Sequence, residues 1–184
     1  MKIYLAGPEV FLPDAIAIGQ QKRTICERHG VTGLYPLDPG TDLSVPDASR
    51  QIFRALVAMM DAADAIIANL TPFRGPGADP GTVYELGYMA GRGKLCFGYC
   101  NDPEIYAGRV ARFTTVTSAS DKRLVDADGL TVEDFGLLDN LMMIHALELH
   151  GAPLVMPRAR PADIWRDLTS FEACVGLAAG KLGR

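Results

Sequence analysis

Two consecutive stretches decide how this chain folds: the apolar run Asp64-Ala65-Ile66-Ile67-Ala68-Asn69, and Asp79-Pro80-Gly81-Thr82-Val83-Tyr84-Glu85-Leu86-Gly87-Tyr88 downstream of it. The first has the pattern of a strand buried on both faces, apolar throughout rather than alternating. Between them, Gly75, Pro76, Gly77, Pro80 and Gly81 break any regular structure. From Thr82 onward Val83, Leu86, Gly87 and Ala90 fall at helical spacing. A strand, a loop and a helix in this order belong to an α/β fold, whose ligands sit in loops beyond the carboxyl ends of parallel strands. Glu85 has two readings there. With Thr82 as N-cap it completes a T-x-x-E capping box; otherwise it and Asp79 are two carboxylates at a ligand loop, suited to chemistry on an electron-poor carbon.

Outward from this centre the same alternation repeats. Lys2–Ala6 reads as a first strand stopped by Gly7-Pro8, and a helix runs from Pro13 and Asp14 to about His29, with Gly30 ending it. Val31–Tyr35 is a second strand and Pro36–Pro46 a turn-rich loop. Ser49–Ala62 is a helix with Ile52, Leu56, Met59 and Met60 as its apolar stripe, and Asp64–Leu70 is the third strand. After the helix from Thr82 to Gly91, Lys94–Tyr99 makes a fourth strand. Residues 101–133 read as a long polar excursion with room for a hairpin, and segments of this kind tend to be functional or flexible. Asn140–His150 is helical, Leu154–Met156 is a short fifth strand, and Pro161–Leu182 is the closing helix. The predicted architecture is one α/β domain over residues 1–184, a doubly wound sheet of five parallel strands joined by right-handed crossovers.

Composition narrows the function. A chain of 184 residues, 48% hydrophobic and 22% charged, is an ordinary globular domain. The net charge of −4 gives no electrostatic reason to expect nucleic acid or membrane as a partner. No run approaches the about 20 apolar residues of a membrane span, and Pro8 interrupts the opening too early for a signal peptide, so a cytoplasmic location is expected. Cys26, Cys96, Cys100 and Cys174 form no C-x-x-C pair and read as buried thiols, while His29, His145 and His150 are scattered, so no metal site is expected. The turn after the first strand, Ala6-Gly7-Pro8-Glu9, lacks the G-x-G-x-x-G fingerprint, and no Walker A loop is present. No nucleotide cofactor is expected.

Three further groups can carry chemistry. Tyr4, inside the first strand, is either a core aromatic or a phenol aimed at the loop of the neighbouring third strand, where its hydroxyl would orient the Glu85 carboxylate. Asp79 and Glu85, held in one cleft, suit glycosidic bond cleavage, one attacking the anomeric carbon while the other assists the leaving group. Asp139 reads as the N-cap of the following helix, with Asn140 incidental and Met142 and Met143 in the core.

Taken together, four stretches resemble the nucleoside 2-deoxyribosyltransferase family: Lys2-Ile3-Tyr4-Leu5-Ala6-Gly7-Pro8 with Phe11; Ala68-Asn69-Leu70-Thr71-Pro72-Phe73-Arg74-Gly75; Asp79-Pro80-Gly81-Thr82 with Glu85-Leu86-Gly87; and Val132-Glu133-Asp134-Phe135-Gly136 with Asn140-Leu141-Met142. The resemblance implies a flavodoxin-like sheet and a retaining two-step transfer of 2-deoxyribose between nucleobases. Glu85 would be the nucleophile, Tyr4 its orienting group, and Asp79 the acid and base toward the departing and incoming nucleobase. Ala6, Gly7, Phe11, Asn69 and Gly81 would line the substrate site. Asn140 and Met142 would complete the site of a neighbouring subunit, which makes a homo-oligomer part of the expectation. The substrates implied are a small purine deoxynucleoside and a free base, with pyrimidine deoxynucleosides left open. Leu56 departs from the pattern, since family members commonly carry Asn or Asp at about this position to hold the base. Two rivals stay open: an N-glycoside hydrolase of deoxynucleosides or their 5′-monophosphates, and a non-catalytic nucleoside-binding protein.

Overall fold

In a computed structural model, residues 1–38 and 44–183 are described; part of the turn-rich loop expected over 36–46 lies outside them. The main sheet is parallel, with order β2-β1-β3-β4, built from β1 (Lys2–Ala6), β2 (Thr32–Leu34), β3 (Ala65–Asn69) and β4 (Leu95–Tyr99). Helices α1 (Ala15–Arg28), α2 (Ala48–Ala62) and α3 (Pro80–Gly91) make the crossovers. β3 is buried along its whole length, as its unbroken apolar run requires.

The two faces separate residue by residue. On one side Ile3, Leu5, Ile67, Phe97 and Tyr99 pack with Phe171, Val175 and Ala178 of the closing helix. On the other Tyr4, Ala6, Ile66 and Ala68 pack with Leu86, Met89, Met143 and Leu147. The period of two along a strand therefore places Tyr4 on the side of α3. α2 covers this side loosely: among the described residues Met60 is its one fully buried residue.

Three expectations are corrected. The fifth strand is not a strand: residues 151–155 run beside β4 and make two isolated parallel bridges, Cys96 with Gly151 and Tyr99 with Val155. Pro153 lies between the two contacts and has no N–H to extend a ladder. The closing helix α6 begins at Thr169, not Pro161. Before it, Asp163 accepts from the backbone N–H groups of Trp165 and Arg166, and Asp167 from that of Thr169, local bonds that compete with helix. The excursion holds a short helix, α4 (Tyr106–Ala111), and the hairpin expected there, extended by one strand into a three-stranded antiparallel meander, β5 (Thr117–Ser118), β6 (Leu124–Val125) and β7 (Thr131–Val132). Asn140, not Asp139, caps α5 (Leu141–His150), accepting from the Met142 N–H at 3.1 Å.

The four cysteines are free and buried. Among the described residues no helix is long and apolar enough to cross a membrane, and no group of His, Cys, Asp and Glu side chains is placed to hold a metal ion.

Candidate active site

α3 begins where β3 hands the chain to a glycine- and proline-rich loop. Its N-cap is Asp79, whose Oδ2 accepts from the Thr82 N–H at 2.9 Å and the Thr82 hydroxyl at 3.0 Å. Pro80 occupies the first helical position, where a missing N–H costs nothing. The capping-box reading of Glu85 therefore fails, because Thr82 donates to the cap and is not the cap. Glu85 is left free to face the sheet, and the Tyr4 hydroxyl donates to its Oε1 at 2.6 Å, joining residues 81 positions apart.

The electrostatics follow from that placement. Tyr4 is 0% exposed, and its phenol is pushed far above the usual range first by burial and then by the Glu85 charge. Glu85 is raised from 4.5 to about 7, chiefly by burial. The Tyr4 hydrogen bond pulls it back down, and the negative charge of nearby Asp79 pushes it up. A carboxyl poised near neutrality at a cavity mouth suits a carboxylate that must bond and release carbon at ordinary pH.

Residues at the start of α3 line two hollows, which share no residue, so Asp79 and Glu85 stand in different walls. One, about 280 Å³, is walled by Phe53, Leu56, Val57 and Met60 of α2 and by Gly81, Tyr84 and Glu85 of α3. Glu85 is the one ionisable carboxylate in that wall. The other, about 480 Å³, is lined by Phe73, Arg74, Gly75, Gly77, Ala78, Asp79 and Pro80. Asp79 is 9% exposed, and its Oδ1 accepts no hydrogen bond among the described residues.

The other predicted site residues divide. Gly81 and Leu56 line the Glu85 hollow. Phe11, 57% exposed, stacks on Phe73 with ring centroids 5.3 Å apart, while Arg74 lies over both rings. Ala6 is buried on the Tyr4 face. Gly7 has no room for a side chain, since an added Cβ would stand 2.0 Å from Oε2 of Glu9. The Asn69 amide is occupied within the protein: Nδ2 donates to Glu9 at 2.9 Å and Oδ1 accepts from the Thr71 N–H at 2.9 Å. Asn140 donates from Nδ2 to Glu133 at 2.8 Å, and Met142 is 72% exposed; neither lines the Glu85 hollow of its own chain.

Two buried clusters that sequence reasoning missed hold this site in place. Glu9, 1% exposed, accepts on Oε1 from Lys22, Asn69 and the Tyr99 hydroxyl. Burial pushes its carboxyl up, but the Lys22 ammonium and the hydrogen bonds from Lys22 and Tyr99 bring it below the usual range. This pins the turn leaving β1. Asp139 accepts from the Ala78 and Asn140 N–H groups and pairs with Arg109 at 3.4 Å, both side chains buried. It thereby fixes the residue before Asp79, and burial raises its carboxyl. Charged residues at isolated positions gave no periodic signal; their meaning lies in partners distant in sequence.

The profile of the family described as nucleoside 2-deoxyribosyltransferase matches residues 3–142. The chain is 36% identical over 167 residues to an uncharacterized protein of Schizosaccharomyces pombe, covering 81% of this chain and 78% of that one. It is 35% identical to a solved 2-desoxiribosyltransferase from Leishmania mexicana, with a TM-score of 0.61 over 77% of this chain and 84% of that one. A conserved protein from Enterococcus faecalis V583 shares the fold at 20% identity and a TM-score of 0.54, over 85% and 91% of the two chains.

Proposed function

The chain belongs to the nucleoside 2-deoxyribosyltransferase family, and from that premise we propose that it moves 2-deoxyribose from one nucleobase to another through a covalent glutamate ester. The observation that carries this reading is the 2.6 Å hydrogen bond from Tyr4 to Glu85, which fixes a half-buried carboxylate at the edge of an apolar hollow. With Oε1 tied to the phenol, the carboxylate is oriented before substrate arrives, and that preorganisation lowers the barrier.

In the first step a carboxylate oxygen of Glu85 bonds C1′ of the deoxynucleoside as the C1′–N bond breaks. The electron pair leaves with the base, and Asp79 supplies its proton. In the second step a nitrogen of the incoming base attacks C1′ on the same face. Its proton passes to Asp79, and the ester's electron pair returns to Glu85. Two inversions give net retention. The heterocycle rests against Phe53, Leu56 and Tyr84, held by apolar contact and stacking where other members use an amide or carboxylate.

Asn140 and Met142 fit the role of completing a neighbour's site. The Asn140 amide is fixed by Glu133, and Met142 stands exposed on the first turn of α5. A homo-oligomer is therefore part of the proposal, and light scattering of the purified protein tests it. The central experiment incubates the enzyme with deoxyinosine and adenine. Deoxyadenosine is the expected product, with a deoxyribosyl adduct on Glu85 in mass spectra. Free deoxyribose alone would identify a hydrolase, and binding without turnover a non-catalytic binder.

A further inference from the structure

A third hollow, about 340 Å³, shares no residue with the apolar one beside Glu85, and borders the Asp79 hollow through Arg74 and Gly75, which line both. Its wall is Pro72, Arg74, Gly75, Asp102, Arg112, Phe113, Arg160 and Ile164. Three arginines thus line one space in a chain whose net charge is −4.

Their arrangement is built. Asp102 is nearly fully buried, and its Oδ2 receives Arg112 at 2.8 Å and Arg160 at 3.4 Å, so a single carboxylate oxygen draws two guanidinium groups together. Arg112 also reaches Glu104 at 3.0 Å. Arg74 has no carboxylate partner among the described residues; it stacks over Phe73 and Phe11 and holds a left-handed backbone at φ 54°, unusual for a residue with a side chain. Against three cations in the wall, Asp102 and Glu104 supply two anions, which leaves a positive surplus. Guanidinium forks bind phosphate oxygens in pairs, through charge-assisted hydrogen bonds. Phe113, 61% exposed, adds an apolar wall beside them.

We propose that this hollow is a binding site for a phosphate monoester group, separate from the Glu85 hollow. The ligand's phosphate oxygens bridge Arg74, Arg112 and Arg160, and Phe113 and Ile164 flank whatever organic part it carries. Asp102 holds two of the arginines ready, so little side-chain ordering remains to oppose binding. Since Pro72, Arg74 and Gly75 belong to the same loop as Asp79, an occupied site braces that loop.

The chain's one tryptophan, Trp165, adjoins Ile164 and packs edge-on against Phe73 at 6.1 Å, so its emission reports on the site. Inorganic phosphate, deoxyadenosine 5′-monophosphate and deoxyadenosine are titrated into the Glu85→Gln protein, followed by Trp165 fluorescence and by calorimetry. Phosphate and the monophosphate are expected to saturate. Equal affinity for the two makes free phosphate the ligand, whereas tighter monophosphate binding makes it a nucleotide. Arg160→Gln should weaken both about tenfold and Arg160→Glu should abolish both, with deoxyadenosine binding untouched. In otherwise wild-type protein, Arg160→Gln should leave transfer from deoxyinosine to adenine unchanged. Absence of saturable binding of either phosphate by both methods, or affinity that Arg160→Glu leaves intact, overturns the proposal.

Discussion

Glu85→Gln should make the protein more stable while removing its activity, and the size of the gain follows from the burial that activates the wild-type residue. Glutamine keeps an oxygen that can accept from the Tyr4 hydroxyl, so the geometry around the 2.6 Å contact has no reason to collapse. What disappears is the cost of a negative charge in a half-buried site beside Asp79. In the folded protein the Glu85 carboxyl titrates at about 7, against 4.5 ordinarily; at about 1.4 kcal/mol per pH unit, this amounts to about 3 kcal/mol. The pH dependence has a definite sign. Below 4.5 the carboxyl is protonated in folded and unfolded chains alike, and the two proteins differ little. Between 4.5 and about 7 the unfolded chain ionises first, so wild-type Glu85 progressively favours unfolding. Above 7 the penalty is complete. Urea unfolding at about pH 5 and about pH 8 should therefore show a gap that opens with pH to about 3 kcal/mol in favour of the variant. A variant equal to or weaker than wild type at the higher pH would refute the claim that Glu85 is held ionised against its environment.

Other outcomes follow from the same geometry. In wild type, kcat/KM for base exchange should rise with pH through about 7 as Glu85 ionises. Tyr4→Phe removes the contact that lowers the Glu85 pKa, so that inflection should move upward and the rate should fall roughly tenfold, corresponding to about 1.4 kcal/mol; an unmoved profile would leave Tyr4 as core alone. Because Phe53, Leu56, Val57 and Met60 offer the base no hydrogen bonds and the Tyr84 hydroxyl is the one uncharged polar side-chain group in that wall, benzimidazole should serve as an acceptor within about tenfold of adenine, whereas a site built on polar contacts rejects such analogues by orders of magnitude. A far larger preference for adenine would mean that polar groups outside this wall read the base. Lys22→Met strands the buried Glu9 charge and should cost about 3–5 kcal/mol in denaturant unfolding, with much of it recovered when Glu9→Gln is added.

Local pattern alone determined the alternation of strands and helices in this chain, the burial of β3 on both faces, and the glycine- and proline-rich loop after it. These depend on periodicity and on glycine and proline, which act within a few residues of themselves. Reading Tyr4 as a partner of Glu85 needed one step more, the adjacency of β1 and β3, which right-handed crossovers supply. Local pattern also misled where side chains compete with backbone over short range. Thr82 looked like a cap until Asp79 took that place, and Asp163 and Asp167 held the chain out of helix before Thr169. A fifth strand was legible in composition, but Pro153 left it two bridges long. Only the tertiary structure decided the rest. Glu9 with Lys22 and Asp139 with Arg109 are pairs of charged residues that look like surface in the sequence; each is buried because its partner, 13 or 30 residues away, is buried with it. The shift of Glu85 to about 7 belongs to the same class, since it arises from how much water the assembled sheet and helices exclude around one carboxylate.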